Sequence, residues 1–179
     1  MQQKNLELGK ELGLELIEIA KAEHYAGISR KASQADHFSV AQELTYAFVE
    51  AQGKICHRSS PQVSITMTGT KNLEGKFDYF IGEKVQYSSQ DASLNVFTLQ
   101  PGLYAQLRLK KNPSWLLGFR LARVRKTFYT QFLPNSPYEK AESFDEVEYY
   151  GYDSRLKPKR AQTMTLLIPL KAKPKPLDG

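Results

Sequence analysis

The chain reads as an α+β fold: a duplicated strand-helix-strand-strand unit with pseudo-two-fold symmetry, an antiparallel sheet, two helices and a central cleft. Three observations predict it. Short segments alternate apolar and polar residues, as half-buried strands do; two longer segments carry apolar residues at helical spacing; and the order of these segments repeats. His24-Tyr25-Ala26-Gly27-Ile28-Ser29-Arg30-Lys31 parallels Leu103-Tyr104-Ala105-Gln106-Leu107-Arg108-Leu109-Lys110, and Phe77-Asp78-Tyr79-Phe80-Ile81-Gly82 parallels Met164-Thr165-Leu166-Leu167-Ile168-Pro169. The first repeat covers about residues 14–85 and the second about 95–171, and the 179 residues are expected to form a single domain without a DNA-binding module.

Residues 1–13 are mixed and polar. From Leu14 to Lys31 the alternation predicts a long strand with a break near Ala22-Glu23-His24. Val40, Leu44, Ala47, Phe48, Ala51 and Ile55 then fall at helical spacing, with Asp36 placed to cap the helix and Gly53 to fray it. Val63, Ile65 and Met67 share one face of the next strand, and Lys76 to Val85 forms another. The Ser-, Gln- and Asp-rich segment Gln86 to Ser93 links the halves.

In the second half, Asn95 to Lys110 is a strand broken at Gln100-Pro101-Gly102. Asn112-Pro113 opens a helix whose stripe is Leu117, Leu121, Val124, Phe128 and Phe132, and Pro134-Asn135-Ser136-Pro137 closes it. A strand around Glu146 to Tyr150, a basic loop and a last strand from Ala161 to Lys171 complete the unit.

The totals narrow the function classes. A net charge of +6 tolerates an anionic partner without demanding one, and the basic clusters at Arg120 to Lys126 and Arg155 to Lys175 are accounted for by a solvated helix face and a soluble tail. Direct nucleic-acid binding is not expected. Cys56 is the only cysteine, so no internal disulfide forms, and His24, His37 and His57 lack metal-ligand spacing. No apolar run approaches a membrane span, and no phosphate-cradling loop or nucleophile elbow is present. The expectation is a cytoplasmic protein with no cofactor, no metal, no membrane association and no assigned catalytic residue.

One strand stands out chemically. In Glu146-Val147-Glu148-Tyr149-Tyr150, the residues Glu146, Glu148 and Tyr150 share one face, while Val147 and Tyr149 share the other. A carboxylate among aromatic rings suits an organic cation or acid/base chemistry, and an exposed strand with ordinary surface acids is the alternative.

Four segments in order carry a family resemblance: Leu99-Gln100-Pro101-Gly102-Leu103-Tyr104-Ala105, Phe132-Leu133-Pro134-Asn135-Ser136-Pro137-Tyr138-Glu139, Glu148-Tyr149-Tyr150 and Leu167-Ile168-Pro169-Leu170. Over about residues 14–171 the chain resembles the GyrI-like small-molecule-binding domains, also the effector-binding halves of bacterial AraC-type and MerR-type multidrug-sensing transcription regulators. The resemblance implies a stand-alone protein that binds a hydrophobic, cationic small molecule in the cleft between repeats. It implies a glutamate anchor best matched by Glu148 followed by Tyr150; Glu146 lies on the same face, and a slipped alignment onto Tyr152-Asp153 would move the position. It also implies a lining of rings, for which Trp115, Phe119, Phe48 and Tyr46 are candidates, with packing between helix and sheet as the alternative. Tyr104 either lines the cleft or is exposed. Two further readings follow from the same resemblance: an inhibitor of DNA gyrase or partner of a separate regulator, docking through Arg120, Arg123 and Lys126, and a small hydrolase using a Glu/Tyr pair.

Overall fold

The computed structural model describes residues 2–60, 63–112, 114–151 and 162–174. Helix α1 (Gln2–Leu12) leads into β1 (Leu14–Ile19) and β2 (Glu23–Ser33), followed by α2 (His37–Ala51), β3 (Val63–Thr68) and β4 (Lys76–Val85). The second half runs β5 (Asn95–Leu99), β6 (Gly102–Asn112), α3 (Ser114–Thr127), β7 (Tyr138–Lys140), β8 (Glu146–Gly151) and β9 (Gln162–Ala172). The basic loop and the Tyr152-Asp153 alternative lie outside the described residues.

All pairings are antiparallel, in the order β1-β6-β9-β8-β3-β4-β2-β5, with β7 added beside β9. Read from the centre outward the order is symmetric: β8, β9 and β6 on one side match β3, β4 and β2 on the other. The outermost strands are exchanged. β1 precedes β2 in the chain but pairs with β6, and β5 precedes β6 but pairs with β2. Because only residues 20–22 join β1 to β2, and residues 100–101 join β5 to β6, the two ends of the sheet must meet. The sheet therefore curls into a half-barrel.

That curl creates three cores rather than one. Its inside is filled by Tyr25, Ile65, Met67, Phe80, Leu99, Tyr104, Phe144, Val147 and Leu167. Outside, α2 covers β2 and β4 through Leu44 and Phe48, and α3 with α1 covers β6 and β9 through Leu121, Phe128 and Leu12. Tight curvature needs a close approach, which Gly27 and Gly82 supply. They pair directly across β2 and β4, and a Cβ added at Gly27 would lie 1.9 Å from the Ile81 carbonyl oxygen.

Two expectations are corrected. Residues 2–12 form a helix, because Leu8 and Leu12, one turn apart, bury against the second-half core, and Gly13 ends it in the left-handed conformation at φ 61°. Asp36 precedes α2 without capping its N–H groups; its carboxylate instead accepts from the Ser33 backbone N–H at 2.5 Å and hydroxyl at 2.8 Å. The break expected near Ala22-Glu23-His24 falls at residues 20–22 and parts the segment into β1 and β2, so that they can serve opposite ends of the sheet. Among the described residues no helix is long and apolar enough to cross a membrane.

Candidate functional site

α2 and α3 each cover the outer strands of their own half, so the outer face of the two central strands, β3 and β8, is left between them. A floor that no helix covers can be polar. The side chains of β3 alternate accordingly, with Ile65 and Met67 in the inner core and Thr66 and Thr68 on the outer face. Opposite them in register stand Glu148 against Thr66 and Glu146 against Thr68. The strand of acids and tyrosines is thus one half of the groove floor.

Glu148 accepts hydrogen bonds from Thr66 Oγ1 at 3.1 Å and from the Tyr150 hydroxyl. The cation between the acids comes from α3. Arg125 donates through one nitrogen, Nη2, to Glu148 at 2.6 Å and to Glu146. The side chains of Glu146 and Glu148 are only 11% and 17% exposed, against 31% for Arg125, so the guanidinium lies over the acids on the solvent side. Its Nε–H is buried without a partner among the described residues.

Burial raises the Glu146 carboxyl above its ordinary range, although Arg125 pulls it down. For Arg125, burial acts to lower the guanidinium, and the combined pull of both carboxylates outweighs it and raises it. The two partners therefore move in the same direction, because desolvation dominates at the acid and attraction at the base. The hydroxyl of Tyr150 is pushed well up by burial and then by Glu148, and Tyr79 on β4 is pushed up to about 12 by burial and the same acid. Both phenols are protonated donors at neutral pH.

A carboxyl with a raised folded pKa binds its proton more tightly folded than unfolded. Its contribution to stability is full at low pH and is lost as pH rises from the ordinary carboxyl range through the raised value. Urea unfolding across that window should show wild type losing stability relative to Glu146→Gln as pH rises; parallel curves would contradict the assignment.

A cavity of about 450 Å³ opens beside Glu146, between the start of α2 and the end of α3, and is lined by His37, Phe77, Arg125, Tyr129, Lys140 and Asp145 among others. Lys140 is paired with Asp145, and Lys71 donates to Gln34 at 2.7 Å at the rim. His37 is half-buried. Its ring stands edge-on to Tyr79 and Phe77, with centroids 4.9 Å and 5.6 Å away.

Helical phase identifies the walls. Gly118, Ala122, Arg125 and Tyr129 recur at intervals of four, three and four residues along one flank of α3 and the π-helical turn Phe128–Phe132 that follows it. The two small residues leave the wall low, since a Cβ added at Gly118 would meet nothing within 4 Å. On α2, Phe38, Thr45 and Val49 share a flank turned away from Glu43, whose carboxylate binds Arg30 on the outer strand β2. Phe38 and Val49 remain 88% and 51% exposed there.

The candidate residues divide between this groove and other places. Glu146, Glu148 and Tyr150 come together on the floor. Phe48 is buried under α2 in the first-half core, and Tyr104 is buried on the opposite face of the sheet, donating to the Gln100 carbonyl at 2.7 Å. Tyr46 and Phe119 are exposed at the surface. The Trp115 side chain lies outside the described residues. Arg125, Tyr79, Tyr129 and His37 were not candidates from the sequence. For Arg125 a signal existed, because it sits four residues after Leu121 and three before Phe128, on the covered side of its helix.

No family model matches the chain, and no curated protein sequence matches it. Solved structures do. A protein of Staphylococcus aureus MU50, described as a bacterial transcription regulation protein, superposes with a TM-score of 0.61 at 14% identity, covering 89% of this chain and 98% of that one. The EcmrR C-terminal domain gives 0.60 at 12% identity over 89% and 98% of the two chains. The chain shares the α+β fold of these structures, which is consistent with the GyrI-like resemblance. A third structure with this fold, SAV2435 bound to tetraphenylphosphonium, gives 0.61 at 14% identity over 88% and 93%. At such identities the likeness concerns the fold.

Proposed function

We propose that this chain is a small-molecule-binding protein of the effector-binding type, and that it takes a lipophilic aromatic cation in the groove between α2 and α3. The observation that carries the reading is the pair of carboxylates, Glu146 and Glu148, set on the uncovered floor against a single guanidinium. The trio keeps one net negative charge, partly withdrawn from water, where a charge acts more strongly than at the open surface. Tyr129, half-buried on the cavity wall beside Glu146, supplies aromatic surface, and a ring face adds about 0.5–2 kcal/mol to a cation seated over it. A structure with this fold holds tetraphenylphosphonium, which supports the same ligand class here.

Tetraphenylphosphonium and tetraphenylborate have nearly the same shape and opposite charge, so the pair separates charge recognition from greasy binding. Isothermal titration should show saturable binding of the phosphonium and none of the borate at equal concentration. Equal binding of both, or of neither, would remove the reading.

A further inference from the structure

The acidic floor already holds a cation of its own. Arg125 reaches both carboxylates, yet it does so through Nη2 alone rather than with the two-pronged fork that makes arginine–carboxylate pairs strong. The Nε–H that such a fork would use is buried without a partner among the described residues. The residue stands on the groove flank of α3, directly before the π-helical turn, with Gly118 and Ala122 leaving open space on the same flank. A guanidinium on a long flexible stem, held through one nitrogen and more exposed than the acids beneath it, has somewhere to go.

We propose that Arg125 is the built-in competitor of the ligand and sets the affinity threshold that a cation must exceed to occupy the groove. The inference rests on the cation-binding reading above. With the groove empty, Arg125 neutralises Glu146 and Glu148; a ligand binds by taking its place. A small alkylammonium ion offers only charge, which Arg125 already supplies, and falls below that threshold. A cation that also buries rings against Tyr129 and the cavity wall offers more than charge and displaces it. If Arg125 occupies the acids in about nine molecules of ten, the apparent affinity for every cation is lowered about tenfold.

The test uses the full chain, with tetraphenylphosphonium and tetramethylammonium as probes. In the double variant Arg125→Gln with Glu146→Gln, Glu148 stands alone and the cluster keeps its single net negative charge, so any change reports displacement rather than charge. The expected result is tetraphenylphosphonium binding about tenfold tighter than wild type, with tetramethylammonium binding now measurable. Equal or weaker phosphonium binding, with affinity still lost in Glu148→Gln, would make Arg125 a structural strut and leave the cation-binding reading standing. No binding to any form would overturn that reading and this inference with it. Should the double variant not fold, the Arg125 Nε–H resonance of the wild-type protein gives the answer: it should lose its protection from exchange as phosphonium saturates the site, and an unchanged resonance in the saturated protein would overturn the proposal.

Discussion

Changing Glu146 and Glu148 together to glutamine is expected to lower the affinity for tetraphenylphosphonium about a hundredfold or more, which corresponds to about 2.8 kcal/mol. The groove floor then carries Arg125 alone, so its local charge reverses from negative to positive. Two unit charges at about 4 Å interact by about 4 kcal/mol at the effective dielectric of a protein surface. Reversal therefore outweighs the ring contacts that the variant keeps. The single changes each leave one acid paired with Arg125, and each should cost about tenfold. Glutamine preserves volume and can still accept from Thr66 and Tyr150, so the fold should survive, and unchanged circular dichroism with unchanged affinity would refute the anchor.

The second large effect is on the fold. Gly27→Ala should destabilise the protein by about 3 kcal/mol, read as a shift of the urea midpoint. Its new methyl would collide with backbone, the Ile81 carbonyl at 1.9 Å and the Gly82 Cα at 2.5 Å, so no side-chain rotation relieves it. Gly82→Ala meets mainly the ring of Phe80, at 2.4 Å, together with the Ala26 carbonyl oxygen at 2.7 Å. A ring can move, so the cost at Gly82 should be the smaller of the two. A loss below about 1 kcal/mol at Gly27 would mean that the glycine pair is not what permits the curl.

What the sequence showed and what it hid divide along physical lines. Alternation and helical spacing revealed α2, α3 and the central strands, because each buries one face and leaves the other in water. The parallel between His24-Tyr25-Ala26 and Leu103-Tyr104-Ala105 was legible too, and both tyrosines fill the inside of the half-barrel. The exchange of β1 and β5 between halves was not, since pairing partners far apart in the chain leave no local pattern. Helix α1 was hidden because its few apolar residues bury against a core that only the whole second half creates.

At the site, the face of β8 was readable from a period of two, and Glu146, Glu148 and Tyr150 do share it. Phe48 was ambiguous because a ring at helical spacing serves core and cleft alike; here it packs under α2. Arg125 was passed over among four basic residues on one helix. Only its position between Leu121 and Phe128 sets it apart from the exposed Arg120, Arg123 and Lys126.

The most direct measurement is a crystal structure of the protein grown with tetraphenylphosphonium. The account predicts the phosphonium between α2 and α3 over β3 and β8, its charge within about 6 Å of the Tyr129 ring and facing the acids, with Arg125 swung off them. A ligand seated elsewhere, or over the groove with Arg125 still bridging Glu146 and Glu148, would contradict it.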